Sequence, residues 1–121
     1  MAYENGNATN YLDLLAKLRD FLISNTDLVA ANQEFDVLAG VASGTPVSGD
    51  YISFKGQGLA GTDDILFTIA AFSAPGNNAY NLLLRGHTGY NISTPGPSQP
   101  RSSPDVVMPL GNSPIESWVH A

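Results

Sequence analysis

Cysteine is absent from the sequence. The chain therefore has no disulfide framework, no thiolate nucleophile and no cysteine-liganded zinc site. We expect packing and hydrogen bonding alone to hold the fold together. The absence does not indicate a compartment, because extracellular and cytosolic proteins can both lack cysteine.

Charge is scarce and unequal in sign. Only 13% of the 121 residues are charged, and five Lys and Arg face eleven Asp and Glu, for a net charge of −6. Nucleic acid backbones and anionic membranes both attract cationic surfaces, so we expect neither as the main partner. The low charge leaves two interpretations open, a surface covered by neighbours in an assembly or simple compositional drift.

Long hydrophobic runs are also missing, and the longest is far shorter than the roughly 20 residues of a membrane helix. The first ten residues, MAYENGNATN, place no basic residue before an apolar run, so we expect no signal peptide. These features predict a soluble protein. The length predicts a single domain, because domains typically hold roughly 100–150 residues.

One amphipathic helix is predicted over residues 10–24. Apolar residues recur there at spacings of three and four and form one stripe, made of Tyr11, Leu14, Leu15, Leu18 and Leu22. Thr9 or Asn10 can cap its start, and Asn25 is a suitable end. Asp13 lies in the first turn, where the helix dipole favours an anion.

Beyond the helix the hydrophobic period changes to two, which predicts β-strands. Four strands are expected, at residues 35–41, 51–55, 65–73 and 80–85. Residues 74–79, APGNNA, contain the Gly and Asn of a hairpin loop between the last two strands. The sequence therefore predicts an α+β fold, in which the N-terminal amphipathic helix packs on an antiparallel β-meander.

Six of the eight prolines fall in residues 92–115. Because proline has no N–H to donate, we expect no regular element there but a Pro-rich extended arm, poorly packed on its own domain and ordered by a neighbouring chain. The final residues, ESWVHA, resume a strand pattern with Trp118 and His120 on one side. This end either docks on its own domain or pairs with another subunit, and an unpaired edge suits strand addition. The chain divides into a globular domain of residues 1–91 and an arm with a terminal strand, residues 92–121.

The string GQGLAG, residues 56–61, matches the dinucleotide-binding fingerprint and follows a predicted strand. Nucleotide binding would require a helix next and an acid roughly 20 residues further on. Instead, Asp63 and Asp64 stand where a phosphate would sit, the next segment has a strand pattern, and residues 80–84 contain no acid. We therefore expect a glycine-rich turn that binds no nucleotide, and we expect no other cofactor.

Catalytic residues cannot be nominated from this sequence. The two histidines and the one pair of adjacent acids lack the spacing of a metal site, so we expect no metal. There is no G-x-S-x-G string and no cysteine, and we expect that the protein is not an enzyme. Tyr80, Tyr90 and Trp118 would suit a sugar site, but they are equally consistent with core packing or a subunit interface.

Two separated stretches resemble the opening of virion structural proteins from tailed bacteriophages. They are TNYLDLLAKLRDFL, residues 9–22, and FKGQGLAGTDDILFTI, residues 54–69. Two further stretches follow in the order that the family has, YNLLLRGHTGYN at residues 80–91 and MPLGNSPIESWV at residues 108–119. Members of that family continue beyond the aromatic end at which this chain stops. The resemblance therefore implies a minimal version that keeps the attachment module.

The family has no catalytic residues to carry over, and the resemblance implies a structural part of the particle. We expect several symmetric copies at the tail, neck or baseplate of a virion assembled in the host cytoplasm, with other copies and other virion proteins as partners. The alternatives are a capsid decoration protein and a host-surface carbohydrate-binding tip, whose ligand would be a host glycan. From the residues themselves, the interface candidates are Trp118, Pro95, Pro97, Pro100, Pro109, Leu110 and Tyr90.

Overall fold

Over the residues that the structure describes, the fold is α+β, with two α-helices and seven strands in two antiparallel sheets. The computed structural model describes residues 3–57, 64–74, 79–110 and 114–120. The predicted hairpin loop lies almost wholly outside these ranges, as does most of the GQGLAG string. Neither helix in the described ranges has the length and hydropathy of a membrane span.

Helix α1 spans Tyr11–Ser24 and begins as predicted, at Asn10. The Asn10 side chain accepts hydrogen bonds from the backbone N–H groups of Leu12 and Asp13, at 3.1 and 3.0 Å. Asn25 is the C-cap of α1, and its backbone N–H donates to the Phe21 carbonyl oxygen. The Asn25 side chain also caps the start of a second helix, α2, over Thr26–Ala30. This second helix was not predicted, because one asparagine serves as the stop signal of the first helix and the start signal of the next.

The main sheet has five antiparallel strands in the order of the chain. They are β2 (Asp36–Gly40), β3 (Tyr51–Gln57), β4 (Asp64–Ala74), β5 (Ala79–His87) and β6 (Val106–Leu110). Each strand pairs with the next, so the predicted meander of the first four is confirmed. The element after the GQGLAG string is strand β4.

The structure differs from the expectation that residues 92–115 contain no regular element. A single 3₁₀ turn covers Gly96–Ser98, and β6 pairs with β5 from Leu84↔Val106 to Tyr80↔Leu110. The strand tolerates Pro109 because β6 lies at the edge of the sheet, where a proline nitrogen can face away from the ladder. Proline density was therefore a misleading signal for this stretch.

A separate two-stranded sheet joins the two ends of the chain. Strand β1 (Tyr3–Ala8) pairs with β7 (Ile115–His120), and Asn5 lies opposite Trp118. The expected unpaired terminal strand thus has a partner in its own chain. The sequence of β1, YENGNA, has no apolar alternation, so its pairing could not be predicted.

Helix α1 packs on one face of the main sheet, as predicted. The shared core is formed by Tyr11, Leu15, Ile52, Phe54, Ile69, Ala71 and Leu82. Because paired residues share a face, the register Ile52↔Ile69↔Leu84↔Val106 extends this inner face across four strands. The outer face carries the alternate residues, among them Ser53, Thr68 and His87.

Candidate functional site

An apolar groove runs between helix α1 and the β5–β6 side of the inner face, with a volume of about 600 Å³. Its apolar lining includes Leu14, Leu18, Leu22, Leu84, Val106, Met108, Leu110 and Ile115. The groove is open because the helix covers the centre of the sheet but not its edge. Ile52 and Phe54 are fully buried, whereas Leu84, Val106 and Met108 are 37%, 61% and 49% exposed.

The open edge of the sheet borders this groove. Strand β6 has the sequence VVMPL, carries no charge and pairs only with β5 among the described strands. Val106, Met108 and Leu110 line the groove, and Val107 alternates with them and is also exposed. Large exposed apolar patches rimmed by polar groups typically mark interaction sites, whereas single exposed apolar residues are normal on protein surfaces.

The outer face carries a network of side-chain hydrogen bonds centred on His87. Tyr90 Oη donates to Ser53 Oγ at 2.8 Å, and Ser53 Oγ lies 2.8 Å from Thr68 Oγ1. Thr68 Oγ1 lies 2.7 Å from His87 Nε2, and His87 Nδ1 lies 2.8 Å from Ser102 Oγ. We refer to these five residues as the His87 network.

The donor and acceptor in each hydrogen bond of this network can be assigned from the bond that Ser102 makes to the backbone. Ser102 Oγ donates its only hydrogen to the Gln99 carbonyl oxygen at 2.7 Å, so toward His87 it can only accept. His87 therefore carries its proton on Nδ1, and Nε2 of the neutral ring accepts from the Thr68 hydroxyl. Thr68 in turn accepts from Ser53, and Ser53 from Tyr90. Desolvation by burial, together with the nearby Arg85 guanidinium, lowers the pKa of His87, which favours the neutral ring.

The network fastens residues 88–103, which we call the strap, to the outer face. The ends of the strap meet where Thr88 N donates to Arg101 O and Ser103 N to Gly86 O. The Gln99 side chain fills its interior, accepting from Asn91 N and donating to two strap carbonyls. Gln99 is only 4% exposed, so the strap is a compact loop packed by its own side chains.

The hydroxyls beside His87 are poorly placed for nucleophilic catalysis. Thr68 donates to an imidazole nitrogen, as an activated hydroxyl does, but it is only 1% exposed and Gly96 of the strap packs directly over it. Ser102 directs its hydrogen to a backbone carbonyl instead of to the ring. Both ring nitrogens of His87 are occupied by these bonds, and the described residues contain no group of three His, Asp or Glu side chains that could hold a metal. The arrangement positions the strap.

The predicted interface residues are distributed over three places. Leu110 lines the apolar groove, and Pro109 is exposed beside it on β6. Pro95, Pro97 and Pro100 are exposed on the strap, whereas Tyr90 is half-buried and donates to Ser53. Trp118 lies on β7 opposite Asn5, and its side chain lies outside the described residues.

Sequence reasoning missed the groove residues Leu84, Val106 and Met108 and the whole of the His87 network. The short apolar run VVMPL was a usable signal for β6, but the surrounding prolines outweighed it. The network had no usable signal, because its residues come from β3, β4, β5 and the strap and meet only after folding.

Neither a scan against models of known protein families nor a search of curated proteins finds a match to this chain.

Proposed function

We propose that this chain is a structural subunit of a tailed bacteriophage virion, present in several symmetric copies at the tail, neck or baseplate. The observation that carries the proposal is the apolar groove with the uncharged strand β6 at its rim. The sequence resemblance described above points to the same class of protein.

The groove supports an assembly role because its exposed residues form one connected apolar surface. Leu84, Val106 and Met108 occupy neighbouring strands on the same face, and Leu110 and Ile115 continue the surface toward β7. Leaving such a surface in water is unfavourable, at about 25 cal/mol for each Å² of apolar area. Contact with another virion subunit would bury it.

The strap supplies a second surface for contact with a neighbour. Its outward side exposes Ile92, Pro95, Pro97 and Pro100. These prolines restrict the backbone, so docking a partner on this side costs little conformational entropy. We propose that residues 92–103, the part of the predicted arm that lies in the strap, contact a neighbouring subunit through this outward side while their inner side stays on their own domain.

The two alternative functions differ in what supports them. A capsid decoration protein would use the same apolar surfaces, so position in the particle separates it from a tail or baseplate subunit. A carbohydrate-binding tip would need an exposed shelf of aromatic side chains. Among the described side chains Phe72 is the exposed aromatic, at 48%, and a single ring makes no shelf.

The test is to locate the protein in virus particles. Particles from the virus or prophage that encodes the chain would be purified, analysed by mass spectrometry and reconstructed by electron cryomicroscopy. We expect the chain in the particle, with symmetric copies fitting density at the tail, neck or baseplate. Density on the capsid faces would favour the decoration protein, and absence from intact particles would overturn the proposal.

A further inference from the structure

We propose that the strap, residues 88–103, is a latch that opens when His87 gains a proton. The proposal rests on the geometry of the His87 network and does not depend on the virion role. It concerns the way in which one titratable ring joins the strap to the outer face of the sheet.

The first step is the direction of the hydrogen bonds. In the closed strap every donor of the network has one acceptor, from Tyr90 through Ser53 and Thr68 to His87 Nε2, and from Nδ1 to Ser102. An imidazolium donates from both ring nitrogens. Protonation of Nε2 therefore places two hydrogens between His87 and Thr68, where the network has room for one.

The second step is burial. Thr68 would have to turn its hydrogen toward Ser53, and Ser53 would have to turn its own toward Tyr90 Oη. The Tyr90 hydrogen, which goes to Ser53 in the closed strap, would then lose its acceptor. Ser53 and Thr68 are 0% and 1% exposed, so neither hydroxyl can turn to water while the strap is closed. A donor without an acceptor is unfavourable, and lifting the strap, to which Tyr90 belongs, lets water reach it.

The third step is the charge around the ring. The groups that face His87 or line its cleft are Arg85 on β5, Lys55 on β3, Asp64 on β4, and Tyr90 and Arg101 of the strap. The two carboxylates that the structure describes near these groups already have cationic partners. Asp64 pairs with Lys55 at 3.6 Å, and Asp105 pairs with Arg85 at 2.8 Å. Within the part of the chain that the structure describes, a protonated His87 would thus join three cations without a free carboxylate beside it.

The direction of the pH effect follows from these steps. His87 titrates in the closed strap at a lower pKa than in an open strap, where the ring is hydrated. The closed form therefore binds fewer protons, and the latch is stable above the ordinary pKa of about 6.5. Its stability falls as the pH drops below that value, until the pKa of the closed form is reached. Each unit of difference between the two pKa values changes the closing equilibrium about tenfold.

The test is hydrogen exchange by NMR on the purified full chain at pH 7.5 and pH 5.5, corrected for intrinsic exchange rates. The reporters are the amides of Thr88 and Ser103, which join the ends of the strap. The reference is the amide of Ala71, which donates to Asp50 away from the strap. We expect protection of the two reporters to fall at the lower pH by up to about tenfold, the most that one group with an ordinary pKa of about 6.5 can contribute at pH 5.5, while protection of Ala71 stays constant.

Two further measurements make the result specific to His87. Nitrogen-15 shifts at pH 7.5 should place the ring proton on Nδ1, and the His87 titration should share its midpoint with the loss of strap protection. In His87→Gln the pH dependence of the reporters should disappear, whereas His120→Gln, at the other histidine, should keep it.

Several outcomes would overturn the latch. These are reporter protection that does not change with pH, a midpoint that differs from that of His87, or a proton on Nε2 at pH 7.5. If His87→Gln does not fold, the wild-type midpoints still decide the matter.

Discussion

At the scale of single residues, the contact between Gly96 and the sheet shows how closely the strap fits. A methyl group built on Gly96 would lie 2.4 Å from Ser53 Oγ and 2.8 Å from Thr68 atoms. Those side chains are held in the His87 network and cannot move aside without breaking it. Glycine at position 96 is therefore required for the strap to close.

We predict that Gly96→Ala lowers the free energy of unfolding by about 1–3 kcal/mol, the usual cost of inserting a methyl group into a packed site. Urea denaturation followed by circular dichroism would measure the change. Gly89→Ala is the matched control, because its methyl would lie 3.9 Å from Arg101 Cδ, an ordinary contact. Equal stabilities of the two variants would contradict the close fit.

Capping residues were predictable from sequence, whereas the network residues were not. Asn10 and Asp13 act on backbone groups two to four positions away, so their roles can be inferred from local spacing. Ser53 and Tyr90 are 37 positions apart in the chain and meet through a hydrogen bond. Contacts of that kind depend on the final packing of the sheet, which one sequence does not reveal.

At the scale of secondary-structure elements, β7 combines a correct expectation with an incorrect one. The pattern ESWVHA predicted a strand, and a strand is present over Ile115–His120. The expectation of an unpaired strand was wrong, because β1 occupies one of its edges. The other edge has no partner among the described strands.

For this strand we predict that Trp118→Ala leaves the monomer folded but weakens self-association or incorporation into particles. A tryptophan anchor at an interface typically contributes about 2 kcal/mol or more. Thermal unfolding of the dilute variant, beside a sedimentation assay, measures both effects. If Trp118 instead closes the core of its own domain, truncation should cost about 3–5 kcal/mol of stability and the melting temperature should collapse.

At the scale of the whole molecule, the predictable part of the fold is the part with local connections. Strands β2 to β5 are neighbours both along the chain and in the sheet, so hydrophobic alternation and turn residues in the sequence were sufficient to infer their pairing. The β1–β7 sheet and the strap join positions far apart in the chain, and short-range patterns do not encode them. The groove was missed for the same reason, because it forms between α1 and the last strand of the sheet.

The groove allows a prediction about self-association. We expect Met108→Lys to reduce the concentration-dependent association of the purified chain, because it places a charge in the centre of an apolar contact. Sedimentation velocity over a range of concentrations would measure this effect. Val47→Lys is the matched control, since Val47 is equally apolar and 62% exposed but does not line the groove. Equal loss in the two variants would point to net charge instead of the groove.

The pairing of β1 with β7 also has a mechanical consequence. Tyr3 lies opposite His120 at the outer end of this two-stranded sheet, so a tension that separates these two residues loads the outermost hydrogen bonds first. The hydrogen bonds between β1 and β7 would break one pair after another, because they run perpendicular to the strands and parallel to the applied force. We expect this pairing to open at a lower force than strands pulled along their own axes, whose hydrogen bonds would all have to break together.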